Sequence, residues 1–262
     1  MGTHKKGVEA HFSKIAGGYD GWFRTLLGQY VERREREAVI SLLEPRPGEL
    51  ILDVGTGTGI YLMEAVGRGA VVVGLDISRG MLGVLSKKLR ERGDWVRASL
   101  VLGDAENLPI KEQVFHKIIN NTTLEFLTNP EKALAEARRA LMFGGSMVIG
   151  VLTSTSLWAF ERRLRRAKSK NVYSYAQFYS LKRLRKLLEV SGFKVEEARW
   201  AVYAPRKTPA RLIPLLEWLE GGLSVFPLVR SLGAFLAVKA TIKSYHASDT
   251  TNNQALPVYC AD

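Results

Sequence analysis

Leu50-Ile51-Leu52-Asp53-Val54-Gly55-Thr56-Gly57-Thr58-Gly59 is the stretch on which the fold turns. Leu50 to Val54 reads as a buried strand, and the glycines that follow read as a tight turn. Ile60 to Val66 then has the pattern of a helix. Glycine lets the backbone turn sharply and approach a ligand closely. The helix amino terminus beyond the turn offers N–H groups to an anion. The spacing Gly-x-Gly-x-Gly differs from the Gly-x-Gly-x-x-Gly of dinucleotide sites, and no Gly-Lys-Ser/Thr follows, which excludes a triphosphate loop.

Working outward, the same alternation continues. Val71 to Leu75 is β-branched and apolar, a second buried strand. Met81 to Arg92 is an amphipathic helix that stops at Gly93. Ala98 to Leu102 and Val114 to Asn120 read as the third and fourth strands, Pro130 to Leu141 as a helix stopping before Gly144-Gly145, and Ser146 to Leu152 as the fifth strand. Strands separated by helices imply parallel βαβ units, and short strands without polar alternation imply a sheet covered on both faces. Upstream, Tyr30 to Leu43 places Val31, Ala38, Val39, Leu42 and Leu43 on one helical face before Pro45 and Pro47. Downstream, Trp158 to Lys170, Ser180 to Ser191 and Arg211 to Leu223 read as helices, and Phe193 to Tyr203 and Leu232 to Lys243 as strands. The expected organisation is one domain over 1–246: a leading helical segment (1–47), a core (48–152) and acceptor-side elements (153–246), with a loosely ordered tail over 247–262.

Two acidic residues accompany the glycine turn. Asp76 ends the second strand, 23 positions after Asp53. At the carboxyl edge of a parallel sheet it stands beside the turn, where a carboxylate accepts bonds from two ribose hydroxyls. The alternative is a helix cap before Ser78. Asp104, in Gly103-Asp104-Ala105-Glu106-Asn107-Leu108-Pro109 after the third strand, can accept a bond from an exocyclic amino group. A turn is the alternative there.

Composition narrows the class further. Hydrophobic residues make up 46% and charged residues 24% of the 262, a globular mix. No apolar run reaches the length of a membrane span, and the lysines near the start lead into no apolar core of the kind a secretory signal has. Cys260 is the one cysteine, so an internal disulfide and a cysteine-clustered zinc site are both excluded. A cytoplasmic protein without a metal is the expectation. The formal charge of +12 favours anionic partners, whether nucleic acid, acidic lipid or a phosphorylated compound, or serves solubility alone.

With these pieces in order, the sequence resembles the class I S-adenosylmethionine-dependent methyltransferases, and within them the branch that includes the ubiquinone and menaquinone biosynthesis enzymes. The matching stretches are LDVGTGTG (52–59), GLDIS (74–78) with Met81-Leu82, GDAENLPI (103–110), ALAEARRALMFGGSMVIG (133–150) and the opening AHFSKIAGGYDGWF (10–23). The resemblance covers residues 9–152 and fades beyond. It implies a doubly wound, seven-stranded, mostly parallel α/β sheet of the Rossmann-like kind, its last strand antiparallel, under a helical cap. It implies S-adenosylmethionine as cofactor and S-adenosylhomocysteine as product. Gly55, Thr56, Gly57 and Gly59, led by Asp53, would hold the methionine portion. Asp76 would hold the ribose, and Ile77, with Met81 beside it, would pack on the adenine. Asp104 and Ala105 would meet the adenine edge, Asn120 or Asn121 would line the pocket near the amino-acid moiety, and Tyr19 would close over the site. His116 stands where such enzymes usually carry an acid, at a position away from the cofactor.

The sulfonium is already an activated methyl donor, so a base is needed only for an acceptor that arrives protonated. His11 and Glu125 are the weak candidates for it. Trp158, Phe160, Tyr173, Tyr175, Phe178 and Tyr179 either line an apolar acceptor pocket or pack as core. Together with the apolar Leu212 to Leu236 and the basic Arg162 to Lys170, they lead to a small apolar or lipid-like acceptor and peripheral contact with an acidic membrane surface. The alternatives are a tRNA methyltransferase, which the charge favours and the absence of an Asn/Asp-Pro-Pro-Tyr/Phe motif opposes, and a regulator that binds the cofactor without catalysis. Acceptor atom and oligomeric state are not legible.

Overall fold

A computed structural model describes residues 2–168, 176–223 and 227–243. Tyr173, Tyr175, Phe226, His246, Cys260 and the tail over 247–262 lie outside the described residues.

Helix α1 (Thr3–Tyr19) leads by a short 3-10 turn, Trp22–Arg24, into α2 (Leu26–Leu43). The Thr25 side chain accepts the Gly28 N–H and starts α2, and Glu44 in the left-handed region (φ 48°) ends it before Pro45. There follow β1 (Leu50–Val54), α3 (Ile60–Gly67), β2 (Val71–Asp76), α4 (Arg79–Arg92), β3 (Ala98–Leu102), β4 (Phe115–Asn121), α5 (Pro130–Ala140) and β5 (Leu141–Leu152). The second half adds α6 (Leu157–Lys168), α7 (Leu181–Val190), β6 (Phe193–Ala201), α8 (Ile213–Leu223), α9 (Pro227–Arg230) and β7 (Phe235–Ile242).

The seven strands lie in the order β3-β2-β1-β4-β5-β7-β6. The first five are parallel, and β7 enters between β5 and β6 antiparallel to both. Along each central strand, neighbours point to opposite faces. Ile51, Ile119, Val148 and Phe235 pack against α2 and α3, while Leu52, Ile118, Ile149 and Leu236 pack in the other cluster, with α5 and α7. Both faces are therefore covered, as expected of such strands.

Several boundaries differ from the sequence reading by two to five residues, most of all the start of β5. Gly144-Gly145 was expected to follow a helix and precede a strand, but β5 already begins at Leu141. The pairing with β4 is irregular between Phe115 and Lys117. Gly144 takes φ 77°, and a Cβ at Gly145 would stand 2.8 Å from the His116 carbonyl. The glycines therefore sit inside a bulged strand rather than ending a helix.

Helix α1 is fastened across the carboxyl edge of the sheet. Ser13 Oγ lies 2.8 Å from Ser78 Oγ, and Asp20 accepts Thr58 Oγ1 at 2.7 Å and pairs with Lys88 at 2.6 Å. The far side is held by a buried clasp. Tyr30 Oη donates to Glu220 Oε2 at 2.6 Å, and Glu220 Oε1 accepts the Val202 N–H at 2.8 Å. The segment between β6 and β7 opens and closes at one point, where the Ala234 N–H donates to the Val202 carbonyl at 2.9 Å.

Among the aromatic residues after β5, Trp158 and Tyr179 are core. The Trp158 Nε1–H donates to the Ala204 carbonyl at 2.8 Å, and Phe160 faces solvent. Arg162 lies over the rings of Trp158 and Phe178, so it belongs to the interior rather than to a basic surface. The apolar acceptor pocket was one of two readings of these aromatic residues; of those described, Trp158, Phe160, Phe178 and Tyr179 line neither of the two cavities beside the glycine turn. Among the described residues, no helix is long and apolar enough to cross a membrane, and no group of three or more His, Cys, Asp or Glu could hold a metal.

Candidate cofactor and acceptor site

Parallel order reverses at β1, which has β2 on one side and β4 on the other. Chains leaving such neighbours in opposite directions open a crevice at the carboxyl edge. The β1 turn fills its floor. Gly55, Gly57 and Gly59 all take positive φ (72°, 55° and 89°). A Cβ on Gly55 would stand 2.0 Å from Thr123 Oγ1, and one on Gly59 2.2 Å from Leu85 Cδ1. At Gly57 the same position faces open space. The first two glycine requirements thus come from packing, and the third comes from backbone conformation beside an open cleft.

The turn is locked by its own hydrogen bonds. The Gly55 and Thr56 N–H groups both donate to the Leu75 carbonyl, at 2.7 and 3.0 Å. Thr56 Oγ1 donates to Asp53 Oδ2 at 2.7 Å. Asp53 is buried, and burial above all pushes its carboxyl up to about 7, with Asp76 adding to the effect and Thr56 opposing it. Asp53 lines neither cavity; its place is under the turn.

Asp76 is held between the glycine turn and the start of α4. Its Oδ1 accepts the Ser78 N–H and its Oδ2 the Gly57 N–H, each at 2.8 Å. Ser78, not Asp76, caps α4 by accepting the Met81 N–H. Burial raises the Asp76 pKa against those backbone bonds. Each carboxylate oxygen has two lone-pair directions, so acceptor capacity remains on the cleft side.

The main cleft holds about 770 Å³ of space, its open mouth included. Tyr19, Gly55, Gly57, Asp76, Ile77, Met81, Asp104, Ala105 and Asn121 line it together. Asn120 is buried beside it and does not line it. Lys5, Val8 and Phe12 of α1, with Glu106, Thr123, Phe126 and Leu127, complete the wall. Lys5 Nζ stands 2.7 Å from both Asp104 Oδ2 and Glu106 Oε2. Burial raises the Asp104 pKa, but the hydrogen bonds from Lys5 and the Glu106 N–H outweigh it and hold the carboxyl below its usual range.

A second cavity, about 490 Å³, adjoins the first. Thr56, Thr58 and Gly59 of the turn, Ile60 and Tyr61 of α3, Phe23, and Glu32 and Glu35 of α2 line it. Tyr19, Gly55, Gly57, Asn121 and Thr122 line both cavities. Thr122, at φ 46°, turns the chain sharply out of β4 there.

Neither base candidate lines a cavity. His11 is half-exposed on α1, edge-on to Phe12. Glu125 is fully buried, and its Oε1 accepts the Leu152 N–H at 2.6 Å, tying the ends of β4 and β5. Burial chiefly pushes its carboxyl up to about 7. His116 Nδ1 accepts the Leu50 N–H at the opposite, amino-terminal edge of the sheet.

Comparison with known proteins agrees with this geometry. Residues 52–149 match the family described as "Methyltransferase domain". An uncharacterised protein of Methanocaldococcus jannaschii is 31% identical over 73% of this chain and 85% of its own length. The ubiquinone/menaquinone biosynthesis C-methyltransferase of Xanthomonas oryzae pv. oryzae is 32% identical over 67% of each chain. A crystal structure from Thermotoga maritima, an S-adenosylmethionine-dependent methyltransferase described as a possible histamine N-methyltransferase, superposes with TM-score 0.66 at 25% identity, covering 90% of this chain and all of that one. The chain belongs to the class I S-adenosylmethionine-dependent methyltransferases, and S-adenosylmethionine is its cofactor.

Proposed function

We propose that the chain methylates a small acceptor with an apolar body, seated in the second cavity while the cofactor fills the main cleft. The observation that carries this reading is the shared lining: Tyr19, Gly55, Gly57, Asn121 and Thr122 border both spaces, so the two adjoin at these residues. When bound, the cofactor supplies an activated methyl group on a sulfonium. The chain supplies placement. Holding two reactants at attack distance contributes up to about 7–11 kcal/mol in model reactions.

The residues fit the cofactor. Asp76 offers carboxylate acceptors to ribose hydroxyls, and Ile77 and Met81 offer apolar surface to the adenine. Asp104 and Ala105 stand at the adenine edge, and the Gly57 turn leaves open space for the methionine portion. Of the two asparagines, Asn121 is the one on the cavity wall. Its buried Oδ1 has no hydrogen-bond partner and sits over Gly150 of β5. Tyr19 lines both spaces from the end of α1 and excludes water from the join.

The apolar body is supported by the ring walls of Phe23, Tyr61 and Tyr19. The relatives' names differ in acceptor, so the site rather than the family argues for the substrate. Peripheral contact with an acidic lipid surface is supported by Leu157, Phe160 and Leu164 on one exposed face of α6, and by exposed Leu215, Trp218 and Leu219 on α8, with Arg163 and Arg211 beside them.

The test is twofold. Calorimetry with S-adenosylhomocysteine is expected to give one tight site. Incubation with cofactor carrying a labelled methyl group and fractionated extract is expected to place label in the small-molecule or lipid fraction. Label in RNA or protein alone would overturn the acceptor reading, and absence of cofactor binding would overturn the site.

A further inference from the structure

Glu35 is an anomaly in α2. It lies four residues after Val31 and four before Val39, both buried, so it occupies a position on the inward stripe of the helix. No hydrogen bond or ion pair engages its carboxylate among the described residues. It is partly buried and lines the second cavity. An enclosed carboxylate without a partner is costly and rare. Glu32, one turn earlier, faces the same space, with Oε1 held by the Arg36 Nε–H at 2.7 Å.

The surroundings favour a cation. Tyr19, Phe23 and Tyr61 present rings to the cavity, and aromatic faces attract positive charge. Asn121, buried to about nine-tenths, lines the cavity with an amide whose Oδ1 lacks a donor. The charged side chains of the lining are both carboxylates, Glu32 and Glu35. Arg162 and Glu125 are the nearest other charged groups that act on Glu35, of opposite sign to each other, and Tyr61 and Glu32 complete the set. Arg36 is committed to Glu32 and Glu64, and among the described residues no cation is bonded to Glu35 itself.

We propose that the second cavity is a seat for a basic nitrogen on the methyl acceptor, held between Glu32 and Glu35 and walled by Tyr19, Phe23 and Tyr61. This rests on the reading of the adjoining cleft as the cofactor site and names the acceptor class: an amine on an apolar body. Burial, the main cause, pushes the Glu35 carboxyl up to about 8, and an incoming cation restores its ionised form. The cofactor's own amino group is the other cation that could approach. Glu35, however, belongs to α2 and lines the second cavity and not the main cleft, and its electrostatic partners Glu125 and Arg162 belong to the segments after β4 and β5.

Calorimetry on the full chain, with and without S-adenosylhomocysteine, tests this. The probes are 2-phenylethylamine and its uncharged counterpart 2-phenylethanol. The wild-type protein is expected to bind the amine at least tenfold more tightly than the alcohol. Glu35→Gln, which keeps the shape, is expected to erase that preference and to leave S-adenosylhomocysteine affinity within twofold. Glu32→Gln is expected to reduce the preference in part. Equal binding of amine and alcohol, or no binding of the amine, overturns the proposal. So does a Glu35→Gln protein that keeps the preference and loses cofactor affinity, because the carboxylate then serves the cofactor's amino group. Failure of the wild-type chain to bind S-adenosylhomocysteine strikes instead at the methyltransferase site, and the amine preference is then read in the cofactor-free titration.

Discussion

The ammonium of Lys5, near the start of the chain, stands 2.7 Å from the Asp104 carboxylate at the end of β3. It occupies the oxygen that an adenine amino group would be offered. Glu106 shares the same cation, so the first turn of α1 is pinned to the rim of the main cleft. Removal of the pin with Lys5→Met, which keeps the aliphatic stem, has two expected effects. Partly buried Asp104 and Glu106 lose their counter-charge, so the cofactor-free protein loses about 1–2 kcal/mol, between surface and buried ion-pair values. Asp104 becomes available, so S-adenosylhomocysteine binds threefold or more tightly. Denaturant melts and calorimetry read the two separately, and weaker binding in the variant would contradict the competition.

Asp76 carries the Gly57 and Ser78 N–H groups on its two oxygens. Asp76→Ala frees the turn and removes the acceptors proposed for the ribose. Cofactor affinity is expected to fall more than tenfold, about 1.4 kcal/mol or more, with the fold retained. Circular dichroism checks the fold and calorimetry the affinity. Unchanged affinity would count against the site map.

The glycines of the turn are expected to fail in different ways. At Gly55 an added Cβ meets Thr123 at 2.0 Å, so Gly55→Ala damages folding. At Gly57 the Cβ has room, and only the positive φ is unfavourable, at about 1–2 kcal/mol. Gly57→Val is expected to fold and to abolish cofactor binding by filling the cleft side of the turn. A folded Gly55→Ala protein with normal affinity would show that Thr123 can move aside.

Stability is expected to fall as pH rises from about 5 to about 8. Burial is the chief cause that pushes Asp53 and Glu125 up to about 7 and Glu35 up to about 8. In the unfolded chain these groups ionise near pH 4. Between the two values the folded protein holds protons that the unfolded chain has released, so alkali favours unfolding. Asp104, Glu64 and Glu136 are shifted down, and their contribution is already complete above pH 5. Glu35→Gln is expected to remove the part of the decline between pH 7 and 8.5. Urea midpoints at unit pH intervals check this; a midpoint that is flat or rising over the range would refute it.

Much of the fold was legible because the central strands are uniformly apolar and the turn between β1 and α3 needs glycine. Boundaries were less so. Leu141 reads as the end of a helix until its pairing with Phe115 across the bulge is seen. The rim of the main cleft escaped because Lys5 and Phe12 reach it from a distant segment, and no local spacing signals contact over about a hundred residues. Glu35 escaped for a different reason. In a helix rich in Arg and Glu a carboxylate reads as a solvated side chain, although its place on the stripe of Val31 and Val39 was already visible. The aromatic residues after β5 were ambiguous, and Trp158 settled as core once its Nε1–H found the Ala204 carbonyl.

The antiparallel return of β7 has an evolutionary corollary. The excursion from Val202 to Ala234 departs and rejoins at a single backbone bond, 2.9 Å long. Inside that junction the segment is not uniform: buried Glu220 grips Tyr30 and the Val202 N–H, and the Ala204 carbonyl receives Trp158, so these anchors tolerate no exchange. Variation among relatives is expected instead at the exposed Leu215, Trp218 and Leu219, which can change without disturbing the anchors.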